Sequence, residues 1–311
     1  MIVGRALRGL GRRGWAYLPE SLRLSPPGQA YGRLVHAIVR NHSERTQYFG
    51  TFFLRNRAEL ELMRRIVDRK PAGSSLNIAV LACSKGTEVY SILWILRSAR
   101  PDLKITVHAV DISQDIVDFA QRGIYSRREA AAPTAQNDAA EKGDAFHTTW
   151  KDQGVSIFER LTDKEIAAMF EVRGDLAKIR PELREGITWH CGDAGDPKLA
   201  EILDHPDIVV ANRFLCHMKP PAAKKCLRNL AQLVKPGGYL FVSGVDLDVR
   251  TKVARDMGWK PITDLIKEIH DGDPSLNESW PLQYWGLEPF REDLPDANIR
   301  YACVFQIGGA A

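Results

Sequence analysis

The segment Ala82-Cys-Ser-Lys-Gly-Thr-Glu88 and an aspartate, Asp111, 25 positions after Gly86, carry the first legible chemistry in this chain. Each follows an apolar run that reads as a buried strand, Leu76–Ala82 and Ile105–Val110. In an open wound sheet, ligands bind beyond the carboxyl ends of the strands. A glycine there lets a ligand approach the backbone, and a carboxylate after the second strand can take both ribose hydroxyls. The segment has a single glycine, so it is neither the dinucleotide fingerprint nor a phosphate-binding P-loop, and a pyrophosphate ligand is not indicated. A nucleoside without phosphates fits both facts. S-adenosylmethionine is the common cofactor of that kind, and Glu88 is placed to bind its ammonium group. In the competing reading, Gly86 only turns the chain and Asp111 only caps the next helix.

Positioning these residues takes a particular scaffold. After the first strand, Val89, Ile92, Leu93 and Leu96 mark a helix that Pro101 stops; after the second, Ser113 can N-cap another. Strand, helix, strand, helix predicts an α/β fold, a parallel sheet with right-handed crossovers. Upstream, residues 29–70 read as helical from Leu34, Ile38, Leu60, Met63, Ile66 and Val67, and Pro71-Ala-Gly-Ser-Ser75 is a linker. Downstream, a polar stretch over 126–154 reads as a surface insertion. Thr162-Asp-Lys-Glu165 is a capping box, and Phe170–Val172 with Lys178–Arg180 can pair around Gly174-Asp175 as a small hairpin. The sheet resumes at Ile187–Cys191 and Asp207–Ala211. A helix from Pro220-Pro221 to Val234 then leads through Lys235-Pro-Gly-Gly238 into the strand Tyr239–Val242. The remainder predicts a helix near Asp264–His270, an aromatic loop and a last strand, Ile299–Ile307.

Composition agrees with a globular chain of 311 residues, 44% apolar and 26% charged, which excludes a disordered tail or a fibre. Five cysteines without CxxC spacing indicate neither a disulfide framework nor zinc, and suit a reducing compartment such as the cytoplasm. No apolar run reaches the ~18 residues of a membrane span. The net charge of +4 is concentrated in residues 1–25, where Arg5, Arg8, Arg12, Arg13 and Arg23 face only Glu20. The rest is formally neutral, so no nucleic-acid partner is indicated. This leader reads as a solvated basic arm broken by glycines, with a targeting peptide or an anionic-surface contact as alternatives. His36, His42, His108 and His190 lack metal-ligand spacing, and no metal is expected.

Several segments in order resemble one family. Thr51-Phe-Phe-Leu-Arg-Asn56, Ser84-Lys-Gly-Thr-Glu-Val-Tyr-Ser91, Asp111-Ile-Ser, Arg122-Gly-Ile-Tyr125 and Lys235-Pro-Gly-Gly together are similar to the chemotaxis-receptor (CheR-type) methyltransferases. The resemblance implies a Rossmann-like class I methyltransferase sheet with a helical N-terminal subdomain and a small inserted α/β subdomain. Mapped onto this chain, it implies a basic arm at 1–28, a helical subdomain at 29–73 and a catalytic domain at 74–311 with an insertion about 126–185. Position by position, it implies that Ala82, Gly86 and Glu88 meet the methionine end of S-adenosylmethionine and that Asp111 meets the ribose. Asp193 then lies near the adenine. Thr51 and Arg55 close over the cofactor, with Arg55 beside the transferred methyl, and Asn212 and Arg213 contact cofactor and acceptor.

The chain departs from the pattern in three places. His217 replaces a tyrosine near the acceptor, the hairpin at Gly174-Asp175 is shorter than in members that dock receptor tails, and some 60 residues follow Ser243-Gly244. Within that extension Trp280, Tyr284, Trp285 and Phe290 either roof an acceptor pocket or pack as satellite core. The family implies a methyl acceptor that is a protein glutamate, whose carboxylate needs no base because its ordinary pKa is about 4.3. A small-molecule acceptor with a hydroxyl or amine would use His217 as general base. A third reading is a non-catalytic module that senses S-adenosylmethionine, which the retained Arg55 and the intact 84–91 loop disfavour. Oligomeric state is not legible.

Overall fold

The computed structural model describes residues 14–43, 45, 50–127, 156–277 and 280–308. The leader's first four arginines and most of the polar stretch expected at 126–154 lie outside them.

The first strand, β1 (Ser75–Leu81), has alternate residues pointing to opposite faces of the sheet, as a pleated strand requires. Ile78 and Val80 join one buried cluster with helices α3 (Arg57–Val67) and α4 (Thr87–Ala99). Ala79 and Leu81 join another with α7 (Leu199–Leu203), α8 (Pro220–Leu233) and α9 (Leu247–Asp256). With both faces covered by helices, the strand is apolar on both sides. The other strands are β2 (Lys104–Asp111), β6 (Ile187–Cys191), β7 (Ile208–Val210), β8 (Tyr239–Phe241), β9 (Lys260–Pro261) and β10 (Val304–Gln306). Among the described residues these seven strands are ordered β6-β2-β1-β7-β8-β10-β9. β10 runs antiparallel to β8 and β9, and the β6, β2, β1, β7 and β8 pairings are parallel. The order reverses direction beside β1, and that switch point is where a ligand crevice forms. This is an α/β fold, a mostly parallel sheet with helices on both faces.

A second sheet of β3 (Ile124–Ser126), β5 (Leu176–Ile179) and β4 (Phe170–Arg173) is antiparallel throughout. The expected hairpin is thus present, and the Gly-Ile-Tyr segment joins it as a third strand. Its core of Tyr125, Phe170, Ala177 and Ile179 packs against Phe53, whose ring meets Tyr125 and Phe170 edge-on at 5.2 and 5.0 Å.

Four expectations need correction. The helical stretch at 29–70 is two helices, α2 (Pro26–His42) and α3, because Phe53 and Leu54 leave the helical path to enter the core and Leu54 adopts a left-handed φ of 48°. The last strand is shorter than Ile299–Ile307: α12 (Ala297–Tyr301) occupies its first half, and Tyr301 is buried there. Helix α9 was not anticipated, since buried Arg250 sits inside its apolar face, donating to the Val242 and Arg300 carbonyls, and breaks the pattern. Finally, the described part of the arm is not simply solvated. Glu20–Leu24 forms helix α1, and Trp15 is buried edge-on against Trp280, 5.1 Å between ring centres.

Candidate active site

A cavity of about 400 Å³ opens at the carboxyl ends of the parallel strands. That is within the size range of small-molecule sites. Thr51, Arg55, Ala82, Glu88, Asp111, Asp193, Asn212, Arg213 and His217 all line it, although they come from five separate stretches of the chain. Gly86 does not line it. With φ 79°, Gly86 is the left-handed N-cap of α4, and a Cβ there would stand 3.0 Å from Ala120 and 3.2 Å from Trp189 and Tyr90. The turn and this close packing both require a glycine there.

On the β2 side, Asp111 is buried, one oxygen accepting from the Ser84 N–H at 2.8 Å and the other from the Ser113 N–H at 3.3 Å. Asp111 thus braces Ser113, the residue before the next helix, and also lines the cavity. Burial pushes its pKa up, against those backbone donors. Ala82 and Ser84 carry the chain past the strand end with φ of 54° and 49°, a conformation costly outside glycine. Nothing in the residue types signalled this strain, which turns the loop's backbone towards the crevice. Asp193 sits in the exposed loop after β6 and accepts from the Gly195 N–H at 2.8 Å.

At the centre Asn212 joins two carboxyl groups. Its amide nitrogen donates to Glu59 Oε1 at 2.6 Å and to Glu88 Oε1 at 2.8 Å, while its oxygen accepts from the Ser243 N–H and hydroxyl. Glu59, on α3, was missed by sequence reasoning. The one signal is its place just after Asn56, whose side chain caps α3 by accepting from the Glu59 N–H at 3.2 Å. Burial and then the neighbouring Glu88 push Glu59 up to about 8, so it is largely protonated at pH 7. Burial also raises Glu88. Thr51 meets Thr87 hydroxyl to hydroxyl at 2.6 Å, pinning the segment before α3 onto the start of α4. Arg55 donates to the Gly50 carbonyl at 2.8 Å, and its guanidinium lies 5.3 Å from the centre of the Phe52 ring. Burial first, and Arg213 second, lower its pKa to about 10, which leaves it charged at neutral pH.

The far side joins Arg213, His217 and Tyr284 to two residues that sequence reasoning missed, Arg45 and Asp273. Arg213, at φ 60°, pairs with buried Asp273 of the C-terminal extension, which Arg160 also approaches at 3.8 Å. Gly244 lies so close beneath Arg213 that a Cβ would meet its Cα at 2.7 Å. His217 is half-buried, with Nδ1 2.9 Å from the Tyr284 hydroxyl. Burial, then Arg213 and Arg45, hold it below the ordinary histidine range and therefore neutral at pH 7. Arg45 donates to the Cys216 and Met218 carbonyls at 2.6 Å and stacks over Tyr284. Of the extension's aromatics, Tyr284 thus supports the pocket through His217, whereas Phe290 packs on Tyr301 as satellite core.

His108 and His190, which lack metal-ligand spacing in the sequence, meet on β2 and β6 with their nitrogens 3.1 Å apart. Among the described residues no group of three or more His, Cys, Asp or Glu is arranged to hold a metal ion. No helix there is long and apolar enough to cross a membrane.

A family described as "CheR methyltransferase, SAM binding domain" matches residues 50–142, and one described as "Methyltransferase domain" matches residues 162–242. A protein from Rhodobacter capsulatus, described as "Uncharacterized 104.1 kDa protein in hypE 3'region", is 25% identical over 62% of this chain and 18% of its own length. "Probable biofilm formation methyltransferase WspC" of Pseudomonas aeruginosa is 24% identical over 62% of this chain and 40% of that protein. "Chemotaxis protein methyltransferase 2" of Vibrio cholerae is 21% identical over 71% of this chain and 67% of that protein. The chain therefore spans well under half of the first two relatives. The matched segments, the strand order and the crevice agree: the chain is similar to the CheR-type S-adenosylmethionine-binding methyltransferase domain over residues 50–142 and to a methyltransferase domain over residues 162–242.

Proposed function

We propose that this chain methylates a carboxylate oxygen, with Arg55 holding the acceptor. The observation that carries the reading is Arg55 itself: a charged guanidinium in the wall of the cavity, fixed by the Gly50 carbonyl beside the Asn212-bridged carboxyl pair. The residues present suit the cofactor. Asp111 would take the ribose hydroxyls, Glu88 and the backbone at Ala82 the amino-acid end, and Asp193 the neighbourhood of the base. Bound there, S-adenosylmethionine supplies a methyl group on a positive sulfur, and an oxygen–carbon bond forms as the sulfur–carbon bond breaks.

A carboxylate is already ionised at pH 7, so the chain need not move a proton. Its task is orientation. A nucleophile held about 3–3.5 Å from the carbon and in line with the breaking bond gains most of what an enzyme can give such a reaction. Arg55 fixes one acceptor oxygen by a charge-assisted hydrogen bond and leaves the other to attack. Thr51, bonded to Thr87, keeps the Arg55 segment over the crevice. Protonated Glu59 lets two carboxyl groups share Asn212 without two buried charges.

Similarity to the CheR-type methyltransferases makes a protein glutamate one candidate acceptor. A second reading, a hydroxyl or amine acceptor, is favoured by His217, which lines the same cavity and is held neutral and so ready to accept a proton. Incubation with labelled methyl donor separates the two. Label released as methanol by mild alkali marks a methyl ester, and alkali-stable label marks an ether or methylamine and would refute the proposal.

A further inference from the structure

The cavity is wider than the cofactor residues require. Asp193, Asp111, Ala82 and Asn212 follow β6, β2, β1 and β7 in turn, and the wall continues past them to Gly244 after β8 and Cys303 before β10. From β6 to β10 are five strand spacings of about 4.8 Å, roughly 24 Å of floor. The half beyond β7 is closed by the C-terminal extension, with Ile269, Asp273, Leu276 and Leu287 in the wall. These residues form one connected piece. The Leu287 N–H donates to the Leu276 carbonyl at 2.7 Å, and the Leu276 N–H to the Asp273 carbonyl at 3.0 Å. Asp273 pairs with Arg213, and the Ile269 carbonyl accepts from the Asn56 side chain at 2.8 Å. The extension is therefore fastened at one end to the loop after β7 and at the other to the start of α3. The result is an apolar stretch of wall, its leucines buried, in the same cavity that the cation Arg55 lines.

We propose that this half of the cavity is an acceptor pocket for a small carboxylic acid with an apolar body, its carboxylate on Arg55 and its body against Ile269, Leu276 and Leu287. The proposal rests on the carboxylate reading above and narrows it. A glutamate on a folded protein arrives with a backbone on both sides of it and needs an open rim. An isolated acid can be enclosed, and an apolar wall rewards enclosure by the area it removes from water.

The test is calorimetric titration of the full chain, saturated with S-adenosylhomocysteine, with butanoate, hexanoate, octanoate and decanoate. Affinity is expected to rise about fourfold per added methylene until the pocket is full. Leu276→Trp should weaken octanoate at least tenfold while leaving S-adenosylhomocysteine affinity within twofold. Leu287→Ala, which removes bulk instead of adding it, should move the best chain length up by one or two carbons. With labelled donor, the octanoate methyl ester should appear by mass spectrometry. If S-adenosylhomocysteine binds but no alkanoate does, and alkali-labile label sits on protein, the small-acid proposal is overturned and carboxylate methylation stands. If alkanoates bind but the label is alkali-stable, the carboxylate reading falls and takes the proposal with it.

Discussion

The two halves of the crevice are made differently. The half proposed for the cofactor is assembled from residues at the last position of a strand or one to three positions past it, so Ala82, Ser84, Asp111 and Asp193 owe their places to the sheet. Their partners are near in sequence or are backbone, as in the two N–H bonds to Asp111. The half proposed for the acceptor gathers Arg55, Glu59, Arg213, Asp273 and His217 from the segment before α3 and its first turn, the loop after β7 and the C-terminal extension. There the contacts join side chains far apart in the chain: Asn212 to Glu59, Arg213 to Asp273, His217 to Tyr284. A half set by strand ends is common to a fold class, whereas a half set by long-range charge pairs can be rebuilt in each member.

Substitutions that act on one half and spare the other sharpen this contrast. The largest effect is expected at Arg55. Arg55→Ala should lower kcat/KM about 10²–10³-fold, with cofactor affinity by calorimetry little changed and partial recovery in Arg55→Lys. A fall below tenfold would remove Arg55 from the reaction. Next, Asp111→Ala should weaken S-adenosylmethionine by about 1.5–3 kcal/mol without altering the acceptor KM; an equal change in both would erase the boundary between the halves.

A smaller effect concerns stability. Glu59 is protonated in the fold up to about pH 8, whereas the unfolded chain releases that proton near its ordinary carboxylate value. Between those values the native state binds more protons than the unfolded one, so this group's contribution to stability falls as pH rises through the window. Glu59→Gln keeps the bond from Asn212 and has no proton to lose. Its Tm gain over the parent should be near zero at pH 4 and grow by about 2–4 °C per kcal/mol towards pH 8. A gain that does not change with pH would show that Glu59 is ionised in the fold. The smallest effect is expected for His217→Phe, within threefold in kcat for a carboxylate acceptor, with a flat rate from pH 6 to 8. A loss of a hundredfold with a histidine-like pH profile would favour the hydroxyl or amine acceptor.

The same contrast explains what could be read in advance. β1, α4 and β2 were legible because apolar spacing and stop signals lie within a few residues, and most of the cofactor residues came with them. Arg55 and His217 were reached only through resemblance. Glu59 and Asp273 were not reached at all: an acid on an amphipathic helix or in a loop reads as solvated until the fold buries it. Arg250 misled for the converse reason, since a cation satisfied by carbonyls occupies an apolar face and hides the helix around it. Gly86 was legible as special, and the fold adds a reason the sequence could not show: a packed methyl and two rings leave no room for a Cβ.

Trp15 against Trp280 couples an early part of the chain to a late one, and Tyr284, four residues on, holds the pocket histidine. A pull on the first helices would thus be felt at the acceptor wall, which gives this contact leverage over which molecules enter although it touches none of them.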